Sequence, residues 1–391
     1  MLTQRVLARE LFDAAVAAVD PGPAVARALA ASGAPRRAPH VIAIGKAAPA
    51  MATAAVAELA ARGLEPAGGI VVAADGGNGQ VGLLPKVLGD HPVPGPRSFE
   101  AARAIARAAA AVRNDDECWV LLSGGTSSLI AAPAPGVGSE QLVALFRELL
   151  ASGRAIGDVN LVRRRMLRWG AGRLAEALAA RHIRVLAVSD VPGDRPGDIG
   201  SGPCTPDADA AEDGRITFEI VARNADAVMG AERRAHEYGL DVVIGAPLTG
   251  EAGRTGDGLA RELLAMRAGL SPGRTACLLR GGETTVTLDG ATGAGGRSQE
   301  LALAAAHALA GSEGVTLLAA GTDGRDGPTD AAGAFVDGGT WAAIARAGVD
   351  PAGALAAHDS HRALDAAGAL LRTGPTGTNV MDLAIGVAAG G

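Results

Sequence analysis

Val41-Ile-Ala-Ile-Gly45-Lys46-Ala-Ala-Pro-Ala-Met51-Ala-Thr-Ala-Ala-Val-Ala-Glu-Leu-Ala-Ala-Arg62 begins with four apolar residues, turns on Gly-Lys and continues as an Ala-rich stretch with helical spacing. A short apolar run closed by a turn reads as a buried strand, and the stretch behind it as a helix. The same unit of strand, Gly- or Ser-rich turn and helix recurs down the chain, which is the alternation of an α/β protein. Strands are expected at 41–44, 69–73, 118–122, 184–188, 241–244, 275–279, 284–288 and 315–319. Helices are expected at 47–62, 99–112, 141–152, 160–181, 224–237, 256–268 and 298–310, with an amphipathic helix in the first twenty residues. This predicts two α/β domains with largely parallel, Rossmann-like sheets. The turn-rich segment 246–256 separates two such series and divides the chain into 1–248 and 249–391.

Composition narrows the function. The 391 residues are long enough for two or three domains at roughly 150 residues each, and 48% hydrophobic with 20% charged residues is an ordinary globular share. A net charge of −6 argues against nucleic acid and anionic membranes as partners. Five Phe, three Trp and one Tyr are too few for a base-stacking platform. Cys118, Cys204 and Cys277 are far apart and show no metal-binding spacing, which suits a reducing, cytoplasmic setting. No apolar run approaches a bilayer span. Of 36 Lys and Arg residues only Lys46 and Lys86 are lysines, so Lys46, placed at a strand-to-helix turn, asks for a reason.

Six segments carry possible chemistry, each with a plainer reading beside it. At Gly45-Lys46 a glycine, a helix start and a mobile positive charge suit a phosphate or carboxylate, or form only a helix start. It is not a Walker A loop, since His40 and Ala47 occupy that motif's Gly and Ser/Thr positions. Ser123-Gly124-Gly125-Thr126-Ser127-Ser128 offers more donors than a capped helix needs, the shape of an oxyanion nest. Asp190, in Ser189-Asp-Val-Pro-Gly-Asp194 at a strand end, is placed to take a proton or hold a metal, or to cap a turn. Glu283, Arg297, Gln299 and Glu300 form a dense polar group. Arg297 at a helix start runs against the macrodipole preference, which a bound anion or a surface salt bridge explains. Thr322-Asp323-Gly-Arg-Asp-Gly-Pro-Thr-Asp330 could hold Mg²⁺ or serve as an acidic turn, and it fails as an EF-hand loop. Gly377-Thr-Asn379-Val closes the series.

Taken in order, Ala43-Ile-Gly-Lys46, Leu122-Ser-Gly-Gly-Thr-Ser-Ser128, Ser189-Asp-Val-Pro-Gly-Asp194 with Ser201-Gly-Pro203, Gly281-Gly-Glu-Thr-Thr285, Gly296-Arg-Ser-Gln-Glu300, Thr322-Asp-Gly-Arg-Asp-Gly327 and Gly377-Thr-Asn-Val380 resemble the class II glycerate kinases over nearly the whole chain. The C-terminal part resembles the MOFRL domain of that family. The resemblance implies ATP- and Mg²⁺-dependent phosphorylation of D-glycerate, most often giving 2-phosphoglycerate, in a cleft between two α/β domains. It implies that Lys46 and Arg297 are catalytic and that Asp190 acts at the substrate hydroxyl. Gly45 and Ser123, Gly124, Gly125, Thr126 and Ser127 match phosphate- or substrate-binding positions, as do Glu283, Glu300, Asp323 and Asn379. Asp190 and Asp323 are the candidate metal ligands. The chain departs from the family pattern after Arg163, where Arg165-Met-Leu167 and Gly170-Ala-Gly172 replace His-Leu-Ser and Lys-Gly-Gly, and at Gly95 and Cys204. A hydroxypyruvate reductase and a non-catalytic binder of phosphorylated ligands are the alternatives, although no dinucleotide fingerprint with its acidic ribose residue is present. Monomer and homodimer are both left open.

Overall fold

Residues 2–151, 156–206, 213–288, 290 and 293–391 are described by a computed structural model. The chain divides into two units, Asp20–Arg223 and Met1–Val19 joined with Asn224–Gly391.

The Asp20–Arg223 unit holds strands of which the central ones are apolar runs shielded on both faces and the outer ones are more exposed. The strands are β1 (His40–Ile44), β2 (Gly68–Ala73), β3 (Gly79–Val81), β4 (Leu84–Leu88), β5 (Glu117–Leu122), β6 (His182–Val188) and β7 (Ile216–Ala222), in the sheet order β3-β4-β2-β1-β5-β6-β7. All neighbours are parallel except the β3/β4 hairpin. β1 is buried along its whole length and β5 beyond its first residue. A sheet covered on both faces needs such continuous apolar strands. Helices Ala48–Ala61 and Pro96–Ala110 supply crossovers. The core between sheet and helices includes Ile42, Ile44, Val72, Ile105, Val120, Leu122, Leu174 and Val185.

The other unit holds β8 (Asp241–Ile244), β9 (Thr275–Gly282), β10 (Val315–Gly321), β11 (Gly333–Asp337), β12 (Leu370–Leu371) and β13 (Asp382–Ala389), ordered β12-β11-β10-β13-β9-β8. The α/β class holds here, but the largely parallel character holds only for the first sheet. In the second, β8/β9 is parallel and the remaining pairs are antiparallel. No helix separates β10 from β11, and β13 enters directly from the turn after Gly374. A parallel return needs a crossover of a dozen residues or more, so these strands come back beside their neighbours in the opposite sense.

The division at 248/249 is also displaced. β8 pairs with β9, which ties residues after Asn224 to the second sheet. The N-terminal helix Gln4–Ala18, capped by Thr3, buries Leu7, Ala8, Leu11, Phe12 and Ala15 in the same unit. Its partner helix Asn224–Glu237 approaches closely enough that a Cβ at Gly230 would lie 2.5 Å from the Ala18 methyl.

Two expected elements do not form as read. Residues 284–288 make only a bridge from Thr285 to Glu251 rather than a strand. The helix expected over 160–181 breaks into Ile156–Met166 and Arg173–Ala177, because Ala171 and Gly172 take left-handed conformations. Ser152, the end expected for the helix over 141–152, lies outside the described residues; the helix runs Ser139–Ala151. Among the described residues no helix is long and apolar enough to cross a membrane.

Candidate functional site

β1 and β5 are neighbours at the middle of the first sheet, and the chain builds outward from them in both directions. Open parallel sheets bind ligands at such a switch point, outside the carboxyl ends of the strands. Gly45-Lys46 follows β1 there, Ser123–Ser128 follows β5, and Asp190 follows the adjoining β6. The turns touch. Gly45 has φ 131°, and a Cβ on it would lie 2.1 Å from Ser123 Oγ, so glycine is required. The Lys46 amide donates to the Gly124 carbonyl at 2.9 Å.

Several hydroxyls read as ligand donors are engaged within the fold. Ser123 Oγ accepts from the Ala47 amide at 3.1 Å, holding the next helix start. Thr126 Oγ1 donates to the carbonyls of Ile44 at 3.1 Å and Ser123 at 2.8 Å, tying β1 to β5. Ser127 Oγ lies 2.7 Å from Ser201 Oγ. Ser201 is fully buried at φ 64°, and Asp194 in the same connection has φ 52°. Backbone strain of this kind, of order 1–3 kcal/mol per residue, gathers at functional sites. Among the described residues, the amides of Gly124, Gly125, Thr126 and Ser127 meet no protein acceptor. The backbone of this loop is therefore what remains available to an anion.

The Asp190 carboxylate lies over Gly124, where a Cβ would come within 2.1 Å of Oδ2. Lys46 is exposed, and its ammonium has no hydrogen bond or ion pair among the described residues. His91, which the motifs did not single out, completes this corner. Its Cδ2 lies 3.0 Å from the position of a Cβ on Gly125, and Lys46 Cγ lies 3.5 Å from the same point. Although the ring reaches solvent, desolvation by the surrounding protein, followed by the charges of Lys46 and Arg163, lowers its pKa to about 4. At neutral pH His91 is an uncharged hydrogen-bonding group. The only sequence signal for it was the His91-Pro-Val-Pro94 string.

The second group of expected residues gathers in the other unit, at one end of its sheet. Antiparallel register places the start of β13 beside the ends of β9 and β10, with Asp382 opposite both Gly282 and Gly321. Arg297 opens the helix Arg297–Leu309, pairs with Glu283, and holds Nε 3.4 Å from Asp382 Oδ2. The salt-bridge reading of Arg297 is thus realised, while its side chain keeps 41% of its exposure. Burial works against the guanidinium charge, but Asp382 and Glu283 outweigh it and raise its pKa.

Asp326 caps this helix, accepting from the Ser298 amide at 3.1 Å and the Gln299 amide at 2.8 Å. Gln299 is fully buried; its Nε2 donates to Thr329 Oγ1 at 2.9 Å, and its Oε1 meets His361 Nδ1 at 2.9 Å. Glu300 is buried against His358 Nδ1 at 3.0 Å, and burial raises its pKa although His358 opposes the shift. Asp323 Oδ1 accepts from the Arg325 amide at 3.0 Å, and Asn379 Oδ1 from the Met381 amide at 3.1 Å. Glu283, Asp323 and Arg297 therefore belong to one acidic-basic group, whereas Glu300 and Asn379 are engaged in local bonds beside it.

Sequence reasoning missed the centre of that group. Asp382 is 6% exposed, and its Oδ2 accepts no hydrogen bond among the described residues. Desolvation, and next to it the negative charges of Asp326, Glu283 and Asp323, push its pKa up to about 7 against the pull of Arg297. In the sequence Asp382 is one polar residue before an apolar run, and only the register shows what it faces.

Residues 7–229 match a family described as a domain of unknown function, DUF4147, and residues 276–382 match the MOFRL family. A D-glycerate 2-kinase of Thermotoga maritima is 39% identical, over 89% of this chain and 90% of its own. Human glycerate kinase is 30% identical, over 96% of this chain and 91% of its own. An Agrobacterium vitis protein named for hydroxypyruvate reduction is 37% identical, over 98% of this chain and 94% of its own. A crystal structure of a Thermotoga maritima glycerate kinase superposes with a TM-score of 0.87 at 35% identity, covering 98% of this chain and 99% of that one. With both family segments matched in order and the likeness running almost end to end, the chain belongs to the glycerate kinase family.

Proposed function

We propose that the protein is a glycerate 2-kinase that transfers the γ-phosphoryl group of ATP to the 2-hydroxyl of D-glycerate. The observation that carries this is a lysine at the switch point that has no partner among the described residues and lies beside a carboxylate, in a chain of glycerate kinase descent. Phosphoryl transfer asks little covalent chemistry of a protein; it asks for alignment and for neutralised charge on the transferring oxygens. Lys46 and Arg297 are assigned that neutralisation. Asp190 is assigned to orient the glycerate hydroxyl and accept its proton, and the Gly124–Ser127 amides to hold an anionic oxygen. His91, neutral at working pH, is assigned a hydrogen bond to the bound ligand beside Lys46.

Among the described residues no three His, Cys, Asp or Glu side chains converge as a ready metal cage. Mg²⁺ is usually held by one or two carboxylates together with nucleotide phosphates. Asp190 and Asp323, in different units, are each a candidate carboxylate for it, and when bound it would supply further neutralisation of phosphate charge.

The test is to incubate the protein with Mg-ATP and D-glycerate, follow ADP and resolve the product by phosphorus NMR. NADH with hydroxypyruvate is the parallel reaction. Glycerate-dependent ADP formation, abolished by EDTA and restored by Mg²⁺, is expected. NADH oxidation without ADP formation refutes the kinase reading. A 3-phosphoglycerate product refutes the assigned hydroxyl.

A further inference from the structure

The helix Ile156–Met166 ends on three consecutive arginines, Arg163, Arg164 and Arg165. The first two are half-buried or buried, yet their surroundings differ. Arg164 is spent on the fold: Nη1 donates to the Gly197 carbonyl at 2.6 Å, and Nη2 to those of Thr205 and Pro206 at 3.1 Å each. Nearby, Arg173 donates to the carbonyls of Arg164 and Leu167, and Arg195 pairs with Asp198 at 2.7 Å. Arg163 has no such partner. Its guanidinium makes no hydrogen bond and no ion pair among the described residues, and its Nε is buried without an acceptor. It stacks 4.5 Å over the ring of Phe146, which is fully buried with Ala131, Leu142 and Leu167. Ala131 stands three residues after Ser128, and its amide donates to the Ser128 carbonyl at 3.3 Å, closing the turn that follows the Ser123–Ser128 loop. The stack therefore holds Arg163 on the apolar cluster that the chain enters directly after the Ser123–Ser128 loop.

A buried Nε–H without an acceptor is costly, and a fold that wanted only the packing could use an uncharged side chain. Lys46 likewise has no hydrogen bond or ion pair among the described residues. Burial lowers the Arg163 pKa, and Arg163 and Lys46 both depress that of His91, so the three groups share one local field. The two cations differ in form. An ammonium is a point charge suited to phosphate oxygens, whereas a planar guanidinium held on an aromatic ring presents a fork that matches a carboxylate.

We propose that Arg163 binds the carboxylate of the hydroxy-acid substrate, fixing which end of glycerate faces Lys46 and Asp190. This rests on the kinase reading above and assigns the specificity of that same site. It makes Arg163 a requirement for an acidic substrate rather than for the nucleotide.

The experiment compares wild type with Arg163→Met, which keeps the apolar stem over Phe146, and Arg163→Lys, which keeps the charge without the fork. Steady-state kinetics are run against D-glycerate at saturating ATP and against ATP at high glycerate. Binding of D-glycerate alone is followed by calorimetry. Arg163→Met is expected to raise the glycerate KM on the order of 10²-fold, the scale for removing one partner of a buried charge pair. The ATP KM stays within about threefold, and Arg163→Lys recovers part of the loss. A purely structural role would move both KM values together with the melting temperature. An unchanged glycerate KM, or a rise confined to ATP, overturns the assignment. If wild type forms no ADP with glycerate, the kinase reading fails separately. The calorimetry then decides Arg163: glycerate bound by wild type and not by Arg163→Met supports the carboxylate site, and equal or no binding overturns it.

Discussion

Replacing Asp382 by Asn should stabilise the protein at alkaline pH while impairing activity. Its carboxyl is 6% exposed and its pKa is pushed up to about 7, against about 3.9 in an unfolded chain. A carboxyl with a raised native pKa binds more protons folded than unfolded between those values, so stability falls as pH rises. The favourable contribution is complete below the unfolded pKa and is lost as pH climbs through 7. Linkage with these two pKa values gives a loss of about 2–3 kcal/mol between pH 5 and pH 8. For a unit of this size, about 2–4 °C of melting temperature accompanies each kcal/mol. Asp382→Asn removes the titrating group and keeps its shape. Melting temperatures of both proteins, measured from pH 5 to pH 8 without added divalent cation, should diverge by roughly 5–10 °C, with the variant ahead at pH 8. The same change leaves Arg297 with Glu283 as its remaining close carboxylate partner, so turnover should fall at the pH where stability rises. Parallel melting profiles for the two proteins would refute the argument that Asp382 is a strained buried acid.

Lys46→Ala should fold with near wild-type melting temperature and lose on the order of 10²- to 10³-fold in kcat, the scale of one electrostatic group; Arg297→Ala should lose as much in kcat and also melt lower, because it leaves Glu283 and buried Asp382 without their cation. Lys46→Arg should also turn over poorly, since a fork does not replace a point charge. Gly124→Ala places a methyl 2.1 Å from Asp190 Oδ2; kcat should fall on the order of 10²-fold through displacement of that carboxylate, with thermal unfolding as the control for global damage. Asp326→Ala removes the cap of the Arg297–Leu309 helix and a partner of buried Gln299. It should cost about 1–2 kcal/mol, read as the shift of the urea midpoint at constant slope.

The clearest strands in sequence are unbroken apolar runs buried on both faces, although exposed β8 was also legible from its β-branched Val242-Val-Ile244. Val41–Ile44 and Cys118–Leu122 are unbroken apolar runs because a parallel sheet covered by helices leaves no polar face. Strands that escaped notice carry weaker patterns. β7 alternates half-buried and exposed residues, β11 contains Gly333, and β13 holds Gly386 among small residues. The helix expected through residues 160–181 failed on Ala171, whose left-handed conformation no propensity foretells. At the candidate site, Gly45, Lys46, Gly124 and Asp190 could be named because glycines and charges at strand ends have few structural excuses. The serines and threonines were read too generously. Ser123 and Thr126 carry hydroxyls that could serve a ligand, but the adjacent strand end and helix start use them first.

The sequence by itself determined the α/β class, the family and the two sets of polar turns, since these depend on local periodicity and on short motifs in order. Tertiary structure alone decided that β10, β11 and β13 run antiparallel and that the N-terminal helix belongs with the C-terminal unit. It also decided the surroundings of Asp382, Arg163 and His91. Each of the three is an ordinary residue in the chain. Register, desolvation and the absence or presence of a partner give them their chemistry, and those are properties of residues distant in sequence brought within a few ångströms.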